Sequence, residues 1–285
     1  MTPQGWPALA AHIKAHPVQG TPAQMRAAFA ALAPKVPPGQ CEVIGGVPCQ
    51  CFGMVGGAPV IWAHGGGLVF GSAATHAALA ARVAQWAGRR VIVPDYRLAP
   101  EHPWPAPLDD LLAGVDATPG PVDLVGDSAG GLLALWAALR RKGRVGRLAL
   151  ISPNTDSSGL STTRRRDSDL MNDGAQDRRL AELAFGRGQA QHPDASPLLA
   201  DLSGLPPVWI TAATSEVLLD DTLLLITALG RAGVQVSAEI LPGLCHLWPL
   251  WPDALPQSRA TVASLSAFLA TQTSGNQPTQ KALAH

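Results

Sequence analysis

A short glycine-flanked segment, Gly126-Asp127-Ser128-Ala129-Gly130, lies between an apolar run at 122–125 and a helix-like apolar run at 132–139. A strand that turns directly into a helix at such a segment strains the backbone of the central serine and raises its hydroxyl above the sheet. Glycine suits the flanking positions, because strand and helix pass too close there for Cβ atoms. The pattern therefore predicts a nucleophilic Ser128. A simple helix N-cap is the alternative role for the same side chain.

A second glycine-rich segment lies about 60 residues upstream, where the apolar run 59–63 leads into His64-Gly65-Gly66-Gly67. Consecutive glycines let backbone N–H groups turn toward a substrate oxygen without side-chain obstruction. The N–H of Ala129, at the start of the helix after Ser128, lies where unpaired N–H groups and the helix dipole favour negative charge. The two segments together predict an oxyanion-binding site. An ordinary glycine-rich turn is the alternative for the upstream segment.

A nucleophilic serine needs a base, and three histidines follow Ser128: His192, His246 and His285. His285 is the last residue of a polar tail, and His192 lies in a loop with no strand before it. His246 follows the alternating run 234–240, and a loop that leaves the carboxyl end of a late strand is the expected place for the base. We therefore predict His246 as the base. A buried structural histidine is the alternative.

The acid that orients the base is expected after the strand-like run 208–212. Glu216 falls on the loop just past this run, within reach of the Nδ1 atom of His246. Asp220 and Asp221 stand at the start of the next helical pattern, where acidic residues commonly cap helices and interact with the helix dipole. Glu216 is the predicted acid, and Asp220 is the alternative.

Several blocks of the sequence occur together in one order: 64–67, 95–106, 126–131, 196–208 and 243–246. In these blocks the chain resembles the bacterial hormone-sensitive-lipase-like esterases of the α/β-hydrolase superfamily, over about residues 59–269. Several blocks in the right order are far more specific than a single motif.

The resemblance implies a role for each matching residue. It implies that Ser128 is the nucleophile and His246 is the base. It also implies that the backbone N–H groups of Gly65, Gly66 and Ala129 are the oxyanion donors. The family usually places an aspartate, in an Asp-Pro-Leu pattern, where this chain has Glu216-Val217-Leu218. The implied activity is hydrolysis of short-acyl carboxylic esters through an acyl-enzyme. An amidase or arylformamidase-like hydrolase, and a non-catalytic small-molecule receptor on the same scaffold, are the alternatives.

Strand-like and helix-like segments alternate along most of the chain, which predicts an α/β fold with a mostly parallel central sheet flanked by helices. With the resemblance, this becomes the α/β-hydrolase fold with a small helical cap. The strand-like segments are 41–53, 59–63, 91–94, 122–125, 147–151, 208–212 and 234–240. The helix-like segments are 75–87, 107–115, 129–142, 220–232 and 257–271.

Two regions fall outside the alternation, residues 1–40 and 155–195, and we predict that they form the cap over the site. They divide the core into a first part, 41–154, and a second part, 196–272. The polar residues 273–285 are predicted to be disordered.

Within the first cap region, Thr21-Pro22-Ala23-Gln24 predicts a capped helix start. Met25, Phe29 and Leu32 follow on one face of that helix. Ordinary core packing is the alternative to a cap role for these three side chains.

Composition excludes several classes of function. Of the 285 residues, 47% are hydrophobic, which is ample for a globular core. The formal net charge is zero, and the basic run 164–166 is followed at once by Asp167 and Asp169, so no nucleic-acid partner is expected. No apolar run approaches the ~20 residues of a membrane span, so no membrane association is expected.

Four cysteines, Cys41, Cys49, Cys51 and Cys245, occur in a chain whose N-terminus lacks the basic start and apolar stretch of a signal peptide. This usage favours reduced thiols and a cytoplasmic location. No histidine lies near the Cys49-x-Cys51 pair, and we expect neither a metal nor another cofactor. The expected partner is a small-molecule ester, and the sequence leaves a homodimer open.

Overall fold

The computed structural model describes residues 3–54, 56–166 and 168–270. In this part of the chain, eight strands form one sheet in the order β1-β2-β4-β3-β5-β6-β7-β8. The strands are β1 (Gln40–Ile44), β2 (Val47–Phe52), β3 (Val60–Ala63), β4 (Val91–Pro94), β5 (Val122–Asp127), β6 (Val145–Ile151), β7 (Val208–Ala213) and β8 (Val236–Leu241). The α-helices are α1 (Trp6–Ala15), α2 (Pro22–Leu32), α3 (Ala73–Ala87), α4 (Ala106–Ala117), α5 (Ala129–Arg140), α6 (Gly174–Phe185), α7 (Leu219–Arg231) and α8 (Pro256–Ala270).

The sheet is parallel from β3 to β8 and has an antiparallel hairpin at one edge. The mostly parallel α/β architecture confirms the predicted fold class. The prediction of a single strand at 41–53 is wrong in one respect, because this range forms two strands joined by Gly45 and Gly46. Both glycines have positive φ, 60° and 81°. This backbone suits a two-residue hairpin turn.

Helices cover both faces of the sheet, and alternate residues of each central strand face different cores. In β3, Ile61 packs in the core that lies against α4, α5 and α7. Its neighbour Trp62 packs in the opposite core, with α3 and α8. Because the central strands are buried on both sides, their carboxyl ends are fixed in position at one edge of the sheet.

The turn between β5 and α5 is as tight as the sequence predicts. Ser128 has φ 53° and ψ −123°, and α5 begins at the next residue. A Cβ atom on Gly130 would overlap the Ala63 carbonyl oxygen and would lie 2.6 Å from that of His64. The absence of a side chain at Gly130 therefore lets α5 start directly against the end of β3.

The predicted helix in the N-terminal region is α2, which begins with a capping box between Thr21 and Gln24. Met25, Phe29 and Leu32 are buried in the same apolar core as the central strands. These three side chains are therefore core contacts, the alternative that the sequence left open. The division into core and cap stays a prediction.

The guanidinium of Arg164 links the segment 155–195 to α7. Arg164 pairs with Asp177 of α6 and with Asp221 of α7. Burial alone would lower the pKa of Arg164, but the two carboxylates raise it well above its ordinary value. Asp221 also accepts hydrogen bonds from the N–H groups of Thr155 and Asp156, each 2.8 Å long. This network sets the position of α6 above the carboxyl edge of the sheet.

No helix among the described residues is long and apolar enough to cross a membrane. The predicted disorder of 273–285 lies outside the described residues.

The close approach at Gly130 generates a stability prediction. Gly130→Ala forces a methyl group against the backbone of β3, so we expect the free energy of unfolding to fall by about 3 kcal/mol or more. Gly230→Ala is the matched control, because Gly230 lies in α7 with nothing within 4 Å of its Cβ position. We expect that change to raise the free energy of unfolding by about 0.5–1 kcal/mol. Urea unfolding measures both values, and equal values for the two variants would contradict the close approach.

Candidate active site

The structure brings together the three residues predicted to form the catalytic group. Ser128 donates to Nε2 of His246 across 2.9 Å, and Nδ1 of His246 donates to Oε2 of Glu216 across 2.8 Å. Each follows a different strand of the parallel sheet, namely β5, β7 and β8. Loops at the carboxyl ends of parallel strands meet at one edge of the sheet, which explains how residues 118 positions apart meet.

Glu216 is held in place by two further donors. Its Oε1 atom accepts from the hydroxyl of Ser152 at 2.8 Å and from the N–H of Ala213 at 2.7 Å. The alternative acid, Asp220, lies elsewhere and accepts from the backbone and hydroxyl of Thr162. The structure therefore places Glu216, not Asp220, against the base.

The electrostatic surroundings favour a protonated imidazole at His246. Burial alone would lower the pKa of His246, but the hydrogen bond and charge of Glu216 raise it above its ordinary value. Asp169 and Asp127 act in the same direction from farther away. A base with a raised pKa holds a proton more firmly after it has accepted one.

The glycine segment before α3 carries two of the predicted oxyanion donors, Gly65 and Gly66. The backbone nitrogen of Gly65 lies 3.4 Å from Nε2 of His76, a ring nitrogen that donates to Asp127. Gly66 and Gly67, but not Gly65, line the cavity at Ser128. Gly66 has φ 123°, a conformation that side-chain-bearing residues rarely adopt. The assignment of Gly65, Gly66 and Ala129 as oxyanion donors stays a prediction.

A buried polar network that no pattern in the sequence indicates lies directly beneath this segment. Asp127 accepts from the indole N–H of Trp62 at 2.7 Å and from His76 at 3.0 Å. Burial opposes the charge on Asp127, but the interactions with His76 and Trp62 outweigh it and lower the pKa of Asp127. His76 stands on α3, far from any motif, so only the packing of α3 against the sheet brings it to Asp127.

His64 belongs to the same buried layer and is held in its neutral form. Its Nδ1–H donates to the carbonyl of Gly65 at 2.8 Å, and the hydroxyl of Tyr96 donates to the carbonyl of His64 at 2.5 Å. Burial, with a smaller contribution from His76, lowers the pKa of His64 to about 3. His64 therefore supports the backbone of the glycine segment as an uncharged group.

Two small cavities flank Ser128. One, of about 30 Å³, lies over Ser128 and His246. The other, of about 20 Å³, lies on the side of Ala129 and has apolar walls from Leu132 and Phe185. Leu180 of α6 lines both cavities. The space beside the serine is therefore small, and part of its wall comes from α6.

One group of possible metal-ligand atoms occurs among the described residues. Asp169, Glu216 and His246 each bring one such atom within 4.8 Å of the others. Glu216 and His246 are already joined by a hydrogen bond that continues to Ser128, which suits proton transfer. The expectation that the protein uses no metal stays a prediction.

The buried, neutral His64 generates a pH prediction. Its folded pKa of about 3 lies below the unfolded value, so only the unfolded chain takes up this proton as the pH falls from about 6.5 toward 3. We expect this group alone to lower the free energy of unfolding by about 2 kcal/mol between pH 7.5 and pH 5. His64→Asn removes this titratable group. Between the two pH values, the free energy of unfolding of the variant should therefore fall by about 2 kcal/mol less than that of the wild type. Urea unfolding at the two pH values checks this, and equal losses in both proteins would refute it.

Comparison with known proteins shows the family of this chain. Residues 60–250 match the family model described as the α/β hydrolase fold. An acetyl-hydrolase of Streptomyces hygroscopicus is 35% identical over 252 residues, which cover 84% of each protein. Carboxylesterase NlhH of Mycobacterium tuberculosis is 35% identical over 232 residues, 73% of this chain and 72% of the relative.

A solved structure, that of an esterase from the bacterial hormone-sensitive lipase family, gives a TM-score of 0.81 at 33% identity. The alignment covers 92% of this chain and 96% of that one. The likeness therefore extends over nearly the whole of both chains. The chain belongs to the α/β-hydrolase fold family, among the bacterial carboxylesterases of the hormone-sensitive-lipase type.

Proposed function

We propose that this protein hydrolyses short-acyl carboxylic esters, with Ser128 as nucleophile, His246 as general base and acid, and Glu216 as the orienting carboxylate. The observation that carries the proposal is the unbroken series of hydrogen bonds from Ser128 through His246 to Glu216, at 2.9 Å and 2.8 Å. Family membership and this geometry support the same reaction class independently.

The reaction proceeds through an acyl-enzyme. Nε2 of His246 takes the hydroxyl proton of Ser128 while Oγ attacks the ester carbonyl carbon. The tetrahedral intermediate collapses, the bond to the alcohol oxygen breaks, and the imidazolium gives its proton to the leaving alcohol. A water molecule then loses a proton to His246 and attacks the acyl carbon. Oγ of Ser128 then leaves the acyl carbon and takes that proton back from His246, and the carboxylic acid is released.

The developing oxyanion is bound by backbone N–H groups. The donors we propose are those of Gly65, Gly66 and Ala129. Gly66 lines the cavity over Ser128 and Gly65 directly precedes it, and Ala129 lies at the first turn of α5, where N–H groups have no partner within the helix. Such donors stabilise charge that appears only in the transition state.

The space around Ser128 supports a small acyl group. The apolar cavity beside Ala129 is about 20 Å³, and Leu132, Leu180 and Phe185 form part of its wall. A long acyl chain would have to displace these side chains. We therefore propose small, soluble esters as the substrate class.

The segments 1–40 and 155–195 are proposed to cover the site and exclude water from it. Val18 of the first and Leu180 of the second line the same cavity as Ser128, which supports this role. A cytoplasmic location is also proposed, supported by the four unpaired cysteines.

The first test is hydrolysis of p-nitrophenyl esters from acetyl to dodecanoyl. We expect turnover to peak at short chains, because the cavities beside Ser128 are small. Ser128→Ala should lower turnover by about 10⁵-fold or more and leave the free energy of unfolding close to wild type. Appreciable activity in that variant would remove the mechanism. Cleavage of p-nitroanilides without cleavage of esters would favour an amidase, and tight ligand binding without turnover would favour a receptor.

The identity of the acid gives a second test. Glu216→Gln removes the charge that stabilises the imidazolium, so we expect kcat to fall by about 10³- to 10⁴-fold. Asp220→Asn is the matched control, because Asp220 is hydrogen-bonded to Thr162 rather than to His246. Its kcat should stay near the wild-type value. Steady-state kinetics on p-nitrophenyl acetate measures both, and a larger loss in the Asp220 variant would reverse the assignment.

A further inference from the structure

A second carboxylate, Asp169, lies beside the proposed base, on the loop before α6. Its Oδ1 atom accepts from the backbone N–H of His246 at 3.2 Å and from that of Met171 at 2.9 Å. A carboxylate oxygen of Asp169, one of Glu216 and a ring nitrogen of His246 lie within 4.8 Å of one another. The imidazole therefore has two acidic neighbours, which come from different parts of the chain.

The other oxygen of Asp169, Oδ2, is buried without a hydrogen-bond partner among the described residues. Burial raises the pKa of Asp169 to about 6, and the charge of Glu216 adds to the increase, while His246 opposes it. A group placed only to fix the loop would be more stable with both oxygens bonded or exposed to water.

We propose that Asp169 is a positioning residue for His246: it anchors the backbone of the base and adds a second negative charge that stabilises the imidazolium. This inference rests on the proposed function, in which His246 must hold a proton in both halves of the reaction. The main carboxylate remains Glu216, which accepts from Nδ1. Asp169 acts through the loop that carries His246 and through its charge.

Among the described residues, the charged and titratable groups around His246 come from three places in the fold. Glu216 follows β7, Asp169 precedes α6, Asp127 ends β5, and the Ser128 hydroxyl lies at Nε2. The three carboxylates all raise the pKa of His246. Loss of the Asp169 charge must therefore lower the pKa of His246, so the active, neutral imidazole persists to lower pH.

The pH dependence of kcat/KM tests this inference. We expect Asp169→Asn to move the acid limb of the profile to lower pH by about 0.5–2 units, the range for one charge removed at this separation. The asparagine retains an oxygen for the His246 N–H, so a purely structural role predicts no shift. Asp173→Asn is the matched control, because it removes a charge from the same segment and keeps a side chain suited to the N-cap of α6. Its acid limb should coincide with that of wild type.

The double variant of Asp169→Asn and Glu216→Gln adds a second readout. We expect the Asp169 charge to stabilise the imidazolium even after Glu216 loses its charge. The factor by which kcat falls in the double variant should then exceed the product of the factors for the two single variants. A third readout does not need turnover: the downfield proton resonance of Nδ1–H reports the titration of His246 directly, in any variant that folds. We expect that titration also to move to lower pH in Asp169→Asn.

An unchanged acid limb and an unchanged resonance titration in Asp169→Asn would overturn the inference and leave the proposed function intact. Retention of turnover by Ser128→Ala would overturn the proposed function itself. The two failures are therefore distinguishable with the same substrate, p-nitrophenyl acetate.

Discussion

The contact between the start of α5 and the end of β3 is the constraint on which the site depends. Gly130 lets the helix begin against the carbonyl of Ala63, where any side chain would overlap the backbone. Two residues before Gly130, Ser128 has a positive φ of 53°. The glycine segment that begins at Gly65 continues from the same strand. One backbone contact therefore holds the turn at Ser128 close to the start of the glycine segment.

Three carboxylates lie around this turn, and they differ in how completely their oxygens are hydrogen-bonded. Asp127 lies under the glycine segment and is satisfied by Trp62 and His76. Glu216 is satisfied by three donors and remains directed at the base. One carboxylate oxygen of Asp169 accepts no hydrogen bond from the described residues, and this carboxylate lies close to the same imidazole. The incomplete bonding of Asp169 separates it from the other two and motivates its proposed role.

Sequence reasoning worked where a residue's place along the chain determined its place in space. Ser128, Glu216 and His246 each follow a strand, and parallel strands end at one edge, so chain order alone predicts that they meet. It missed contacts made by elements that carry no motif. His76 stands on α3 and reaches Asp127 only through the packing of that helix against the sheet.

The sequence by itself determined the alternation of strands and helices, the strained turn at Ser128 and the set of residues available for chemistry. These follow from local patterns of apolar residues and glycines, which act over a few positions. Only the tertiary structure decided between Glu216 and Asp220, selected the cavity-lining glycines and brought Asp169 to His246. Those outcomes depend on how α6 and the loops pack over the sheet, and such packing joins residues far apart in the chain.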